Sequence, residues 1–151
     1  RTEVAMTWYG MRQQTEKQED AEGRMRAWRG ALAHGDTLHA IAQAHVLVHT
    51  SRMEGGAHAI LEAVCNGTPV LASRIPGNVG MLGADYGGYF ALDDATALAH
   101  LLLRCRDERA ETDGLYALLQ RQCAARAPLF APQAEAEAVR ALVRDLLPAS
   151  R

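Results

Sequence analysis

Residues 46–73 read VLVHTSRMEGGAHAILEAVCNGTPVLAS, and this stretch decides the fold. Val46, Leu47 and Val48 form a short apolar run with β-branched residues, which predicts a strand buried on both faces. The chain then leaves the sheet through Thr50, Ser51, Arg52 and Met53 and reaches Glu54. Gly55 and Gly56 follow, and without Cβ atoms their backbone can approach a ligand closely. A helix is expected from Ala57, with Ile60, Leu61, Val64 and Cys65 as its apolar stripe. Asn66 and Gly67 supply a helix stop. Thr68 and Pro69 restart the chain in extended form, and Val70, Leu71 and Ala72 read as the next parallel strand.

A strand, a glycine turn, a helix and a second strand make the unit of an open α/β sheet, expected to be Rossmann-like with flanking helices. Ligands of such sheets bind beyond the carboxyl ends of the strands. The first N–H groups of the helix have no internal partner, and the helix dipole favours an anion there. Glu54 stands at this mouth, and Glu62 follows eight positions later on the helix. His58 and Glu62 are four apart and share a face whose side chains lean toward the helix amino terminus. A carboxylate only accepts hydrogen bonds and has two oxygens, so it can hold two vicinal hydroxyls. Phosphate at the helix mouth with sugar hydroxyls on either side describes a nucleotide-sugar.

The pattern of Glu54, seven residues, Glu62, then Gly67-Thr-Pro-Val-Leu-Ala-Ser73 resembles the donor-binding half of family-four glycosyltransferases of the GT-B fold. The resemblance covers about residues 24 to 105. It implies that Glu54 meets the donor sugar and Glu62 the ribose, with the backbone of Gly55 and Gly56 facing the diphosphate and sugar. It also implies protein groups in place of a metal, and no cofactor beyond the donor, a UDP-sugar, which is a substrate. Most members follow the second strand with a Gly-Gly-Ile-Pro-Glu-like turn. Here residues 73–90 read SRIPGNVGMLGADYGGYF, with Gly80 at the usual glutamate position. That departure, with SRMEGGA at 51–57, is similar to a narrower subgroup, the selenosugar synthases of selenoneine biosynthesis. The subgroup implies transfer of the sugar to selenophosphate. Transfer to a lipid, a glycan or a small alcohol is the alternative within the family.

Arg52 and Arg74 each follow a predicted strand, so both are expected at the carboxyl edge, where a guanidinium can grip phosphate. Gly77 and Asn78, in the turn after the second strand, complete the substrate-binding candidates. Glu54, which would orient the sugar, and His58, which could reach donor phosphate or the incoming nucleophile, are the catalytic candidates. The other reading of each residue is a solvated or packing side chain.

With 151 residues one domain is the default. A net charge of −2 and a pI near 6.3 give no electrostatic case for nucleic acid or an anionic membrane. The 3 cysteines have no metal or disulfide spacing, and Cys65 is expected in the core. Thiols without a framework fit a reducing cytoplasm. No apolar run approaches the roughly 20 residues that span a bilayer. The 6 histidines show no paired metal-ligand spacing with a third ligand, so no metal site is expected.

Residues 1–23 are the least readable: residues 13–22 are polar and show no apolar stripe, and the first strands of the family's fold are not recognisable in this stretch. Residues 24–105 are expected to form a partial donor-binding α/β domain, and 106–151 carboxy-terminal helices. Residues 27–30 resemble the short strand and glycine before the motif helix. Asp36 is expected to cap a helix from Thr37 to Ala44, with Leu38, Ile41 and Ala42 inward. A last strand is expected over residues 87–92, and a helix capped by Asp93 or Asp94, with Leu98, Leu101 and Leu102 inward. Asp113 is expected to begin another helix, and Pro132 a final one through Leu147. The acceptor site would lie on an amino-terminal domain that this chain lacks. Two other classes stay open: a fragment that binds a nucleotide-sugar without turnover, and a different nucleotide enzyme such as a UDP-sugar epimerase. A Rossmann dehydrogenase is disfavoured because Gly-x-Gly-x-x-Gly is absent.

Overall fold

The computed structural model describes residues 4–7 and 31–147, with side chains described from residue 31 onward. The strands are β1 (Val4–Thr7), β2 (Val46–His49), β3 (Val70–Ser73) and β4 (Tyr89–Phe90). The helices are α1 (His34–Gln43), α2 (His58–Cys65), α3 (Pro76–Leu82), α4 (Ala95–Asp107), α5 (Leu115–Arg126) and α6 (Pro132–Leu146). A short 3-10 segment, Ala127–Phe130, joins α5 to α6.

The strands form one parallel sheet in the order β1-β2-β3-β4. Helices α1 and α2 pack against each other. All four residues of β2 and of β3 are buried, as expected of strands covered on both faces. Val4 pairs with Val46 and Thr7 with His49, so β1 lies beside β2. The sequence reading found no strand in this region, because four residues carry too little pattern. Residues 27–30, read as a strand and glycine, lie outside the described residues.

Ile41, Leu47, Ile60, Leu71 and Leu119 are almost fully buried, each worth about 1.5–3 kcal/mol relative to exposure. The inward face of α2 is Ala59, Ile60, Ala63 and Val64. Cys65 is exposed, which corrects its expected place in the core. A cysteine directly after Val64 turns about 100° around the helix, past the edge of the buried stripe. Helix α1 starts at His34 with Ala33 at its cap position, so Asp36 lies in the first turn and is not the cap. Asp94, one of the two named candidates, does cap α4, accepting the Ala97 N–H at 2.8 Å. Gly114 is the cap position of α5, displacing Asp113, and Glu108 accepts the Leu115 N–H at 2.6 Å.

Residues 76–82 form a helix where the sequence suggested only a turn. Gly77 and Gly80 depress helix propensity, while Pro76 at the first helical turn was the signal for it. Arg126 holds the far end of α3, donating from Nε to Met81 O at 3.0 Å and from Nη2 to Gly80 O at 2.9 Å. Tyr86 fixes the sheet below it: its hydroxyl donates to Val70 O at 2.7 Å and accepts the Val70 N–H at 3.0 Å. Among the described residues, no helix is long and apolar enough to cross a membrane.

Candidate functional site

The carboxyl ends of β2 and β3 release two loops that are locked together. Ser73, the last residue of β3, donates from Oγ to Ser51 O at 2.6 Å. Asn78 of α3 donates from Nδ2 to Ser73 O at 2.9 Å. Ser51 in turn donates from Oγ to Glu54 Oε1 at 2.8 Å. A continuous set of polar contacts therefore runs from α3, across the end of β3, to the Glu54 carboxylate. Gly77 packs so closely beneath that loop that an added Cβ would lie 2.0 Å from Glu54 O.

This settles how two of the expected ligand residues sit. Asn78 is fully buried, and its amide joins α3 to β3 instead of lining an open surface. Gly77 serves close approach, and the group that approaches is the Glu54 backbone. Gly55 and Gly56 are exposed, with open space beside Gly55 and only Met81 Sδ near a Gly56 Cβ position at 3.7 Å. No side chain caps α2, whose cap position is Ala57, so its first N–H groups face the same open mouth.

Glu62 lies on α2 with its side chain 13% exposed, and His34 Nδ1 stands 3.5 Å from Oε1. His34 opens α1, and the amino end of a helix that leads into β2 lies at the carboxyl edge of the sheet. Glu62 is therefore turned toward the edge where Glu54 emerges. His58 is exposed one turn earlier on α2. The structure thus assembles Glu54, Gly55, Gly56, His58 and Glu62 around the α2 entrance.

The two arginines are engaged differently. Arg52 Nη2 donates to Asp93 Oδ1 at 2.7 Å, tying the loop after β2 to the loop before α4. Asp93 holds a left-handed backbone, φ 65°, which is uncommon outside glycine. Arg74 lies over the Tyr89 ring at 5.2 Å and donates to Ala84 O at 3.4 Å. Burial pushes the Tyr89 phenol up to about 12, against the opposing pull of Arg74 and Arg126. Both guanidiniums are exposed and sit at the carboxyl edge.

His49 was not singled out in the sequence. It ends β2, is 1% exposed, and its Nε2 is 3.7 Å from Glu54 Oε1. Its only sequence signal is position: a histidine closing an apolar strand five residues before the glutamate. Burial holds its pKa below the ordinary value of 6.5, and the Glu54 carboxylate opposes that shift less strongly. A lowered folded-state pKa means the unfolded chain binds the proton more readily. The contribution to stability is present above 6.5 and is lost as the pH falls through the lower folded value. Urea unfolding at pH 7.5 and 5.5 is expected to show a steeper acid loss for the native chain than for His49→Gln. Identical pH slopes would contradict it.

Among the described residues, no group of three His, Cys, Asp or Glu side chains gathers where it could hold a metal ion. Residues 13–113 match the family described as Glycosyl transferases group 1. Among solved structures, the chain is similar to Alr3699/HepE from Anabaena, whose structure is a complex with UDP. The identity is 22% and the TM-score 0.51, over 67% of this chain. The chain spans 29% of that protein's length. No curated protein matches this chain.

Proposed function

This chain belongs to the group 1 glycosyl transferases, and from that premise we propose that it supplies the donor side of a sugar transfer from a UDP-sugar. The observation that carries the reading is the uncapped start of α2, with Glu54 in the loop before it and Glu62 one turn into the helix beside His34. The diphosphate lies at Gly55, Gly56 and the first N–H groups of α2. Glu62 exchanges its His34 contact for the ribose hydroxyls, and Glu54 accepts from the hydroxyls of the sugar. Arg52 and Arg74, both at this edge, supply charge as the diphosphate departs. His58 stands within the mouth as a donor to phosphate or a partner of the nucleophile. Asn78 and Gly77 act from beneath, by holding the Glu54 loop. The UDP found with the Anabaena protein supports uridine as the base.

Residues 24–105 form the donor-binding unit in this reading, with β1 completing its sheet and residues 106–151 adding the helices behind it. The acceptor binds to an amino-terminal domain of the whole protein, which works in the cytoplasm. The strings SRMEGGA and SRIPGNVGMLG favour selenophosphate as acceptor and a selenosugar as product. An anionic, polarisable selenium nucleophile needs little help from a base.

The test uses the whole protein that carries this chain, with UDP-N-acetylglucosamine and selenophosphate. UDP release with a selenium-containing sugar in the mass spectrum is the expected result. UDP release without selenium in the product contradicts the acceptor. Absence of both turnover and UDP binding contradicts the donor site.

A further inference from the structure

The Glu54 carboxylate accepts from Ser51 on one side and is approached from the sheet by the buried His49. His49 belongs to β2, which is paired to β1 at Thr7 and to β3 at Ala72. A strand paired on both sides fixes the backbone from which the imidazole projects. The ring is 1% exposed. Its Nε2 faces the Glu54 oxygen that Ser51 Oγ also contacts, at 3.7 Å and 2.8 Å respectively.

We propose that His49 is a positioning residue for Glu54, fixing with Ser51 the carboxylate rotamer that accepts the hydroxyls of the donor sugar. The inference rests on the donor-site reading given above. An ionised carboxylate only accepts, so the ring presents Nε2–H to it. At 3.7 Å the contact is longer than a hydrogen bond, and a small rotation of Glu54 onto a bound sugar would close it. The remaining oxygen, Oε2, stays free to turn to the ligand. Burial keeps the ring neutral near pH 7, so it orients the carboxylate without neutralising it.

The experiment compares affinities for UDP and for a UDP-hexose in the whole protein carrying His49→Leu, His49→Gln or Glu54→Ala. Leucine keeps the bulk and removes the donor. Glutamine places an amide N–H near the position of ring Nε2. His49→Leu is expected to weaken the UDP-hexose about fivefold to tenfold and leave UDP unchanged, the size of one hydrogen bond. His49→Gln is expected to stay within about twofold of the native protein for both ligands. Equal weakening of UDP and UDP-hexose by leucine, or failure of glutamine to restore affinity in a protein with native melting behaviour, would overturn the positioning role. So would native affinities in His49→Leu while Glu54→Ala loses the UDP-hexose, and that outcome leaves the donor site standing. Native affinities in Glu54→Ala would overturn both readings together.

Discussion

Gly77→Ala is expected to cost roughly 1–3 kcal/mol of stability and to lose UDP-sugar binding as well. The new Cβ would lie 2.0 Å from Glu54 O and 2.7 Å from its carbonyl carbon. Both atoms are backbone, so no side-chain rotation relieves the overlap. Either α3 must tilt or the loop that carries Glu54 must move. The Asn78 contact to Ser73 resists the first, and the second displaces the carboxylate itself. Gly80 provides the control: it lies in the same helix, and a Cβ there meets nothing within 4 Å. Gly80→Ala should be neutral or stabilising by a few tenths of a kcal/mol to about 1 kcal/mol. Urea unfolding and UDP-sugar affinity measured on both variants check this, and native behaviour of Gly77→Ala would contradict the packing described for the Glu54 loop.

Glu62→Ala is expected to weaken UDP by about 1.5–3 kcal/mol, the loss of a charge-assisted hydrogen-bonding group, or roughly ten- to more than a hundredfold in Kd. The fold should survive, since the partner it loses in the free chain is His34, a side chain 77% exposed. Glu54→Ala is expected to cost a similar amount but only for a UDP-sugar, because UDP lacks the transferred sugar that Glu54 would hold. The two variants therefore separate when titrated with UDP and with a UDP-hexose. Equal loss of both ligands in both variants would contradict the division of labour between the two glutamates, and no loss in either would remove the site.

Much of this was legible in the sequence, and the reasons are local. The run from Val46 to Ser73 combines apolar strands, a glycine turn, a helix stripe and an Asn66-Gly67 stop, all agreeing with one structure. The structure reproduces each of these elements within a residue or two of its expected limits. The misses have physical causes too. Strand β1 is too short to show a period, and α3 is built around glycines that oppose it. The burial of Asn78, which bridges α3 and β3 from inside, has no signal in its glycine-rich surroundings. His49 hid at the end of an apolar run, where only the three-dimensional approach of Glu54 gives it meaning. Which residues share the mouth followed from topology, because parallel strands put every β-to-α loop at one edge.

The most direct test is a crystal structure of the whole protein with UDP bound. The expected result is a ribose whose hydroxyls are within hydrogen-bond reach of the Glu62 carboxylate, with the diphosphate at Gly55, Gly56 and the start of α2. A nucleotide bound elsewhere, with Glu62 still beside His34, would contradict the account.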